Sequence, residues 1–234
     1  MFNSFLDGTK SAIEMTAVAN ATGLAAPEDG LGFPPAGVDD LANVCRPKRD
    51  GAVLSGRGLV EVVSSLNRDG SSVNRDLRMG VYVIIEATSD YVQGCYEEYG
   101  LATDSSGSYA AIYKPFHLIG LELGVSVASV ALRREPTGRA CTWNADVVAV
   151  AKRDLAPSKA LDGEGGYTVW GKLVPTQASL AMGALPIGIA EGARLKSSVS
   201  RGDVVRWKDV VFDEESEALS LRRAMEARAA ANAA

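Results

Sequence analysis

The sequence is poor in the residues that most often reveal chemistry. It has one histidine, three cysteines and an aromatic content of 6% in 234 residues. A single imidazole rules out a histidine-rich metal site, and neither H-E-x-x-H nor C-x-x-C occurs. Cys45, Cys95 and Cys141 are an odd number without metal-ligand spacing. They make no disulfide framework or structural zinc site, and they fit a reducing cytoplasmic setting. A basic surface is also missing. The net charge of −5 and pI near 5.1 exclude a nucleic-acid binder that relies on neutralising phosphates. The longest apolar stretch, residues 118–132, is interrupted by Gly120, Glu122, Gly124, Ser126 and Ser129. It is too short and too polar to span a bilayer, so no membrane partner is expected. Asp7 and Lys10 break the apolar start, which lacks the basic lead of a signal peptide.

Nucleotide and triad signatures are absent too. There is no G-x-x-x-x-G-K-[ST]. Gly30-x-Gly32 lies in a proline-rich loop and Gly163-Glu164-Gly165-Gly166 precedes a strand, so neither opens a helix as a dinucleotide fingerprint must. No G-x-S-x-G elbow supplies a serine for His117. What remains is a globular composition, 47% hydrophobic and 23% charged, in a chain long enough for one large domain or two small ones.

The spacing predicts a helix over residues 3–22 closed by Gly23, with Asp7 or Thr9 as cap if it starts late. Asn3, Asp7, Lys10 and Glu14 fall on one face of it. That face is either a solvated stripe of charge pairs or the wall of a site. Residues 25–58, full of Pro and Gly, read as a long loop of the kind that forms lids or linkers. Strands are predicted over 58–65, 80–87 and 109–113, with 80–87 buried on both faces or nearly so. A helix over 90–99 capped by Asp90 separates the last two, and a helix over 118–133 follows. A linker over 136–143 leads to short strands over 146–151, 167–171, 186–189, 194–196 and 209–212, where Trp143, Trp170 and Trp207 are expected to supply the core. Residues 151–162 and 193–205 echo one another. The tail from Asp213 reads as a helix. The fold class is α+β, a mixed sheet with helices on one face followed by a small β-rich domain.

His117 follows Lys114, Pro115 and Phe116 and stands at the start of the expected helix, where a neutral imidazole and bound anions are favoured. Glu122 lies five residues on among Leu, Gly and Val, where a carboxylate must be paired or at work. Lys114, His117 and Glu122 form a polar pocket on one reading, and a wet helix side on the other.

The opening MFNSFLDGTKSAIEMTAVANATGL, the strand GVYVIIEA and the string YKPFHLIGLELGVSVASVAL resemble the catalytic domain of NAD(P)-dependent oxidoreductases. These are laid out like homoserine dehydrogenases and include a deoxyxylulose-phosphate reductoisomerase of isoprenoid biosynthesis. The stretches DVVAVAKRDLAPSKALDGEGG and LPIGIAEGARLKSSVSRGDVVRWKDVVF resemble a SAF domain of the β-clip fold, although Pro157-Ser158-Lys159 stands where such domains usually place a Pro-Gly turn. The resemblance implies a catalytic α+β domain over 1–138, a SAF-like domain over 139–213 and a C-terminal helix or tail over 214–234. It implies NADPH or NADH bound by a Rossmann domain that precedes the equivalent of Met1, so this chain is expected to need a separate Rossmann partner. The implied substrate is a small anionic sugar phosphate or sugar acid.

On these strings Lys10, His117 and Glu122 are the candidate catalytic residues, and Asn3, Asp7 and Lys114 the candidate substrate-binding ones. Asp7 and Glu14 are candidates for a divalent metal. A homo-oligomer is a further expectation. The competing functions are a non-catalytic SAF-containing module that binds a sugar acid or assembles subunits, and a lyase or dehydratase. The enzymatic reading requires the ridge of the opening helix and the group around His117 to converge on one cavity.

Overall fold

The opening run of helix formers folds as two helices. Helix α1 (Asn3–Leu6) and helix α2 (Thr9–Thr22) are separated at Gly8, whose φ of 85° few other residues adopt. Gly8 holds the N-cap position without a side-chain cap, where Asp7 or Thr9 was expected, and the Asp7 carboxylate accepts the Thr9 N–H at 2.9 Å across it. Gly23 ends α2 as predicted, in the left-handed region and donating to the Ala19 carbonyl.

The computed structural model describes residues 3–233. It contains two compact units, Gly32–Arg139 and a second that joins Met1–Leu31 to Ala140–Ala234. Met1, Phe2 and Ala234, at the outer ends of the expected segments 1–138 and 214–234, lie outside the described residues.

The unit Gly32–Arg139 begins with a loop interrupted by the short helix α3 (Leu41–Val44). Strand β1 (Val81–Glu86), helix α4 (Asp90–Glu98), strand β2 (Ala102–Thr103) and strand β3 (Tyr109–Lys114) follow. The strand order is β1-β3-β2, with Val81 opposite Lys114 and Glu86 opposite Tyr109. Every pairing in it is antiparallel, where a mixed sheet was expected. The α+β class stands; α4 links β1 to β2, which run in the same direction, but β3 lies between them and pairs antiparallel with both, so no parallel ladder forms.

One face of this sheet, with Tyr82, Ile84, Tyr109 and Ala111, packs on Ala36, Leu41, Ala42 and Leu77. The other face leaves Val81, Val83 and Ile112 about half exposed. The expected burial of β1 on both faces therefore fails, because a β-branched run reports strand preference and not coverage. Residues 58–65 are not a strand; Ser64 makes an isolated bridge to Pro35. Here the Glu61 carboxylate pins the loop by accepting the N–H groups of Gly32 at 3.0 Å, Phe33 at 3.3 Å and Val62 at 2.9 Å. Ser89, not Asp90, caps α4, its hydroxyl accepting the Val92 N–H at 3.4 Å.

The helix predicted over 118–133 begins only at Leu123. Helix α5 (Leu123–Ala128) widens into a π turn over Ser129–Arg133. His117 is therefore not at a helix N-terminus. Leu118, Ile119, Leu121 and Leu123 are exposed.

In the other unit, strand β4 (Ala145–Ala151) pairs antiparallel with strand β5 (Val169–Pro175). All seven residues of β4 are buried, which its VVAVA run allows and which Asp146 allows by pairing with Arg222 and Ser179. Small residues on one face, Ala145, Ala149 and Gly171, let α2 approach closely, and Thr9 accepts the Gly171 N–H at 2.8 Å. On the other face Val148, Val150 and Val174 pack with Ala184, and Trp170, Met182 and Val204 close the edge. Helix α6 (Thr176–Met182), strands β6 (Arg194–Leu195) and β7 (Val210–Val211), and helix α7 (Glu217–Ala233) complete the unit.

Residues 187–189 form a 3-10 turn after Pro186, not the predicted strand. The two echoing segments pair with each other, Leu155 and Val199 exchanging hydrogen bonds at 2.9 and 3.0 Å. The core is aliphatic. Trp143, Trp170 and Trp207 are only partly buried and sit at its rim. Ser216, not Asp213, accepts at the start of α7, from the Leu219 N–H at 3.2 Å.

Candidate functional site

The sequence-predicted residues divide between the two units. Asn3, Asp7, Lys10 and Glu14 belong to the unit with β4 and β5, and Lys114, His117 and Glu122 to the unit Gly32–Arg139.

The second set forms one cluster. Lys114 is the last residue of β3, and Pro115, which lacks an N–H, follows where the ladder ends. The chain then turns back, Glu122 donating its N–H to the Leu118 carbonyl at 3.0 Å. Gly120 makes the turn possible with a φ of 85°. The Glu122 carboxylate accepts the Leu118 N–H at 2.8 Å and pairs with the Lys114 ammonium. Its Oε2 lies 3.7 Å from His117 Nδ1, close enough for an ion pair when the imidazole is protonated. The Lys114 ammonium and the Leu118 amide hold the Glu122 carboxyl below its usual range. The Lys114 ammonium also stands 4.7 Å from the centre of the Phe116 ring, a cation–π contact. The side chains of Lys114, His117 and Glu122 remain 48%, 51% and 35% exposed, so the trio is open to a ligand and is not sealed. The carboxylate positions a cation and an imidazole. The cation can take an anionic group, and the imidazole can give or receive a proton.

The ridge of the opening helices is engaged within its own unit. Asn3 donates to the Gly165 carbonyl at 3.0 Å. The Asp7 Oδ2 lies 2.7 Å from the Lys152 ammonium, as a charge contact and not an aligned hydrogen bond. Lys152 in turn donates to the Gly166 carbonyl at 2.5 Å. Burial pushes the Asp7 carboxyl up, but Lys152 and Thr9 outweigh it and hold the group below its usual range. Lys10 and Glu14 pair with each other at 3.2 Å, one helical turn apart.

This arrangement does not fit a divalent cation. An ammonium already occupies the approach to Asp7, and Glu14 faces Lys10. Among the described residues no three His, Cys, Asp or Glu side chains form a metal-holding group. Nor do the described residues offer a nicotinamide dinucleotide the crevice of a doubly wound sheet, because all strand pairs in the named sheets are antiparallel.

A further polar cluster escaped the sequence reading. Tyr109 donates to Asp50 Oδ2 at 2.7 Å, and Arg49 lies 3.5 Å from the same carboxylate. Arg57 pairs with Glu86, and Arg46 stands 3.5 Å from the buried Asp104. Burial, then the Asp50 carboxylate, pushes the Tyr109 phenol up and keeps it neutral. The charge-dense string Arg46-Pro47-Lys48-Arg49-Asp50 was the available signal. Tyr109 is at the opposite end of β3 from Lys114, about 17 Å along the strand, and faces the core side. Cys45 is buried beside the Tyr82 hydroxyl at 3.6 Å, and burial pushes its thiol up to about 11, so it carries no nucleophile.

No curated protein matches the chain. Residues 1–123, more than half of the sequence, match the family described as oxidoreductase DRL, catalytic domain. That span includes both the opening ridge and the whole turn from Lys114 to Glu122, and the chain belongs to the DRL oxidoreductase catalytic-domain family.

Proposed function

We propose that this chain is the catalytic and SAF-like portion of an NAD(P)-dependent oxidoreductase that acts on a sugar phosphate or sugar acid in the cytoplasm. A supplied Rossmann domain brings the nicotinamide. The observation that carries this reading is the turn in which Glu122 joins Lys114 and His117 at the end of β3, inside the family match. Lys114 receives the anionic group of the substrate, an ammonium being a mobile donor for phosphate or carboxylate oxygens. His117 gives a proton to the substrate oxygen as a carbonyl is reduced and removes it in the reverse direction. Glu122 orients both. The coenzyme supplies or accepts the hydride. Residues 1–138 and 139–213 are the proposed catalytic and SAF-like parts.

The test combines the 234-residue chain with a family Rossmann domain, NADPH and a panel of sugar phosphates and sugar acids. NADPH oxidation that is lost in His117→Ala and weakened in KM by Lys114→Ala supports the assignment. Turnover retained in both variants ends it. The half-exposed trio also suits a non-catalytic sugar-acid-binding module. That reading predicts ligand binding by calorimetry with no NADPH oxidation under any pairing.

A further inference from the structure

We infer that the hollow between α6, α7 and Trp207 binds a free mononucleotide, with its base against the indole and its phosphates on Arg206 and Lys208. This hollow belongs to the unit that holds β4 and β5, whereas Lys114, His117 and Glu122 belong to the other. Two depressions of about 520 and 640 Å³ adjoin here, since Ala181 and Trp207 line both. Each is within the range of about 300–1,000 Å³ in which small-ligand pockets fall. Leu180 and Ala181 of α6 and Ala227 and Ala230 of α7 give the larger one apolar walls. The indole is fixed in place. Its Nε1–H donates to Glu226 Oε1 at 3.2 Å, and Arg222 donates to the same oxygen at 2.7 Å. The Trp207 main-chain N–H donates to the Gly183 carbonyl at 2.9 Å. A ring already held costs little ordering when a ligand arrives.

The polar groups around the hollow are uncommitted. Gln177 borders the larger depression and is exposed, and its amide makes no hydrogen bond among the described residues. Arg206 and Lys208 border the smaller one and make no ion pair among the described residues. Asp209 is close in sequence, but its carboxylate accepts the Arg206 main-chain N–H at 3.0 Å. Arg223 stands 5.6 Å from the centre of the Trp207 ring, 3.7 Å from Glu215, and its side chain is 53% exposed. Cations without acids are notable in a chain whose net charge is −5.

These groups together select the ligand. A flat heteroaromatic ring stacks on an indole or a guanidinium. An amide, donor and acceptor at once, matches the edge of a base. Two neighbouring cations match phosphate oxygens. A fatty acid would leave the amide idle, and a sugar phosphate would leave the indole idle. A nucleoside phosphate engages all three, its base in the larger depression and its phosphates in the smaller.

Calorimetric titration of the full chain with ADP tests the site, with adenosine and pyrophosphate as its two halves. ADP is expected to bind more tightly than either half. Arg206→Gln with Lys208→Gln, both at exposed positions, weakens ADP roughly tenfold and leaves adenosine unchanged. Gln177→Ala weakens ADP and adenosine about fivefold and leaves pyrophosphate unchanged. Lys159→Gln with Arg201→Gln, exposed cations outside the hollow, leaves ADP binding as it was. Thermal unfolding at the parent temperature shows that each variant is folded. No binding at millimolar ADP overturns the inference. So does ADP binding that survives the Arg206 and Lys208 changes, pyrophosphate binding as tight as that of ADP, or a preference for NADPH over ADP.

Discussion

Two antiparallel strand pairs built from similar residues have opposite fates in this molecule. β4 and β5 are closed on both faces: Thr9, Ala12 and Ala19 of α2 are buried in that unit, and Ala184, Met182 and Val204 close the far side. β1 and β3 are closed on one face only, with Val81, Val83 and Ile112 left half exposed on the other. β-branched residues recur in both pairs, five valines in β4 and β5 and five valines or isoleucines in β1 and β3. Coverage separates them, and coverage is supplied by segments distant in sequence. The closed pair is framework. The open one ends in the turn that gathers Lys114, His117 and Glu122.

The sharpest way to break that contrast is to truncate matched positions. Leu173→Ala in the closed pair is expected to lower unfolding stability by about 2–5 kcal/mol. Urea midpoints and slopes of the single variant against the parent chain measure it. Next comes the buried tie between α7 and β4. Arg222 pairs with Asp146, which also accepts the Ser179 hydroxyl at 2.6 Å. Arg222→Ala leaves that carboxylate short of a partner and is expected to cost about 2–3 kcal/mol, somewhat less than a fully buried pair because Ser179 stays. Thermal unfolding followed by the Trp143 and Trp207 signals reads it, as both rings neighbour the helix.

Gly171→Ala tests the close approach of α2. Its added Cβ stands 2.6 Å from Val147 Cγ1 and 3.0 Å from Thr9 Cγ2, so a loss of about 1–3 kcal/mol is expected by the same melt. An effect of acid follows from Asp7. Its carboxyl is held below the usual 3.8 in the folded state, so its contribution is complete above that value and is lost as pH falls through the lower folded one. The parent chain should lose melting temperature between about pH 5 and pH 2 more steeply than Asp7→Asn does. Equal slopes would show that the contact with Lys152 contributes nothing. The smallest effect belongs to the open face, where Val83→Ala should change stability by less than about 1 kcal/mol. A cost equal to that of Leu173→Ala would mean that this face is covered in solution.

The local pattern was legible where the chain talks to its near neighbours. The Gly23 stop and the strands β1, β3 and β4 were readable, because caps and residue preference act over a few residues. Of the candidate site, the grouping of Lys114, His117 and Glu122 was readable for the same reason, since all three lie within nine residues of chain. The helix boundary beside them was not. Gly120 and the Glu122 hydrogen bond to Leu118 made a turn of what looked like the first helical residues. Nothing local revealed that Asp7 meets Lys152 or that Tyr109 meets Asp50, contacts spanning 145 and 59 positions.

Composition and short-range pattern were sufficient for the α+β class, the absence of a dinucleotide fingerprint and the polar trio at the end of β3, because each depends on residue type or on neighbours a few positions apart. The antiparallel pairing of the sheet, the closed and open faces, and the engagement of the opening ridge by Lys152 and the Gly165 and Gly166 carbonyls were decided by folding alone. Burial and long-range charge pairing depend on which distant segment arrives at a surface, and no window of sequence contains that information.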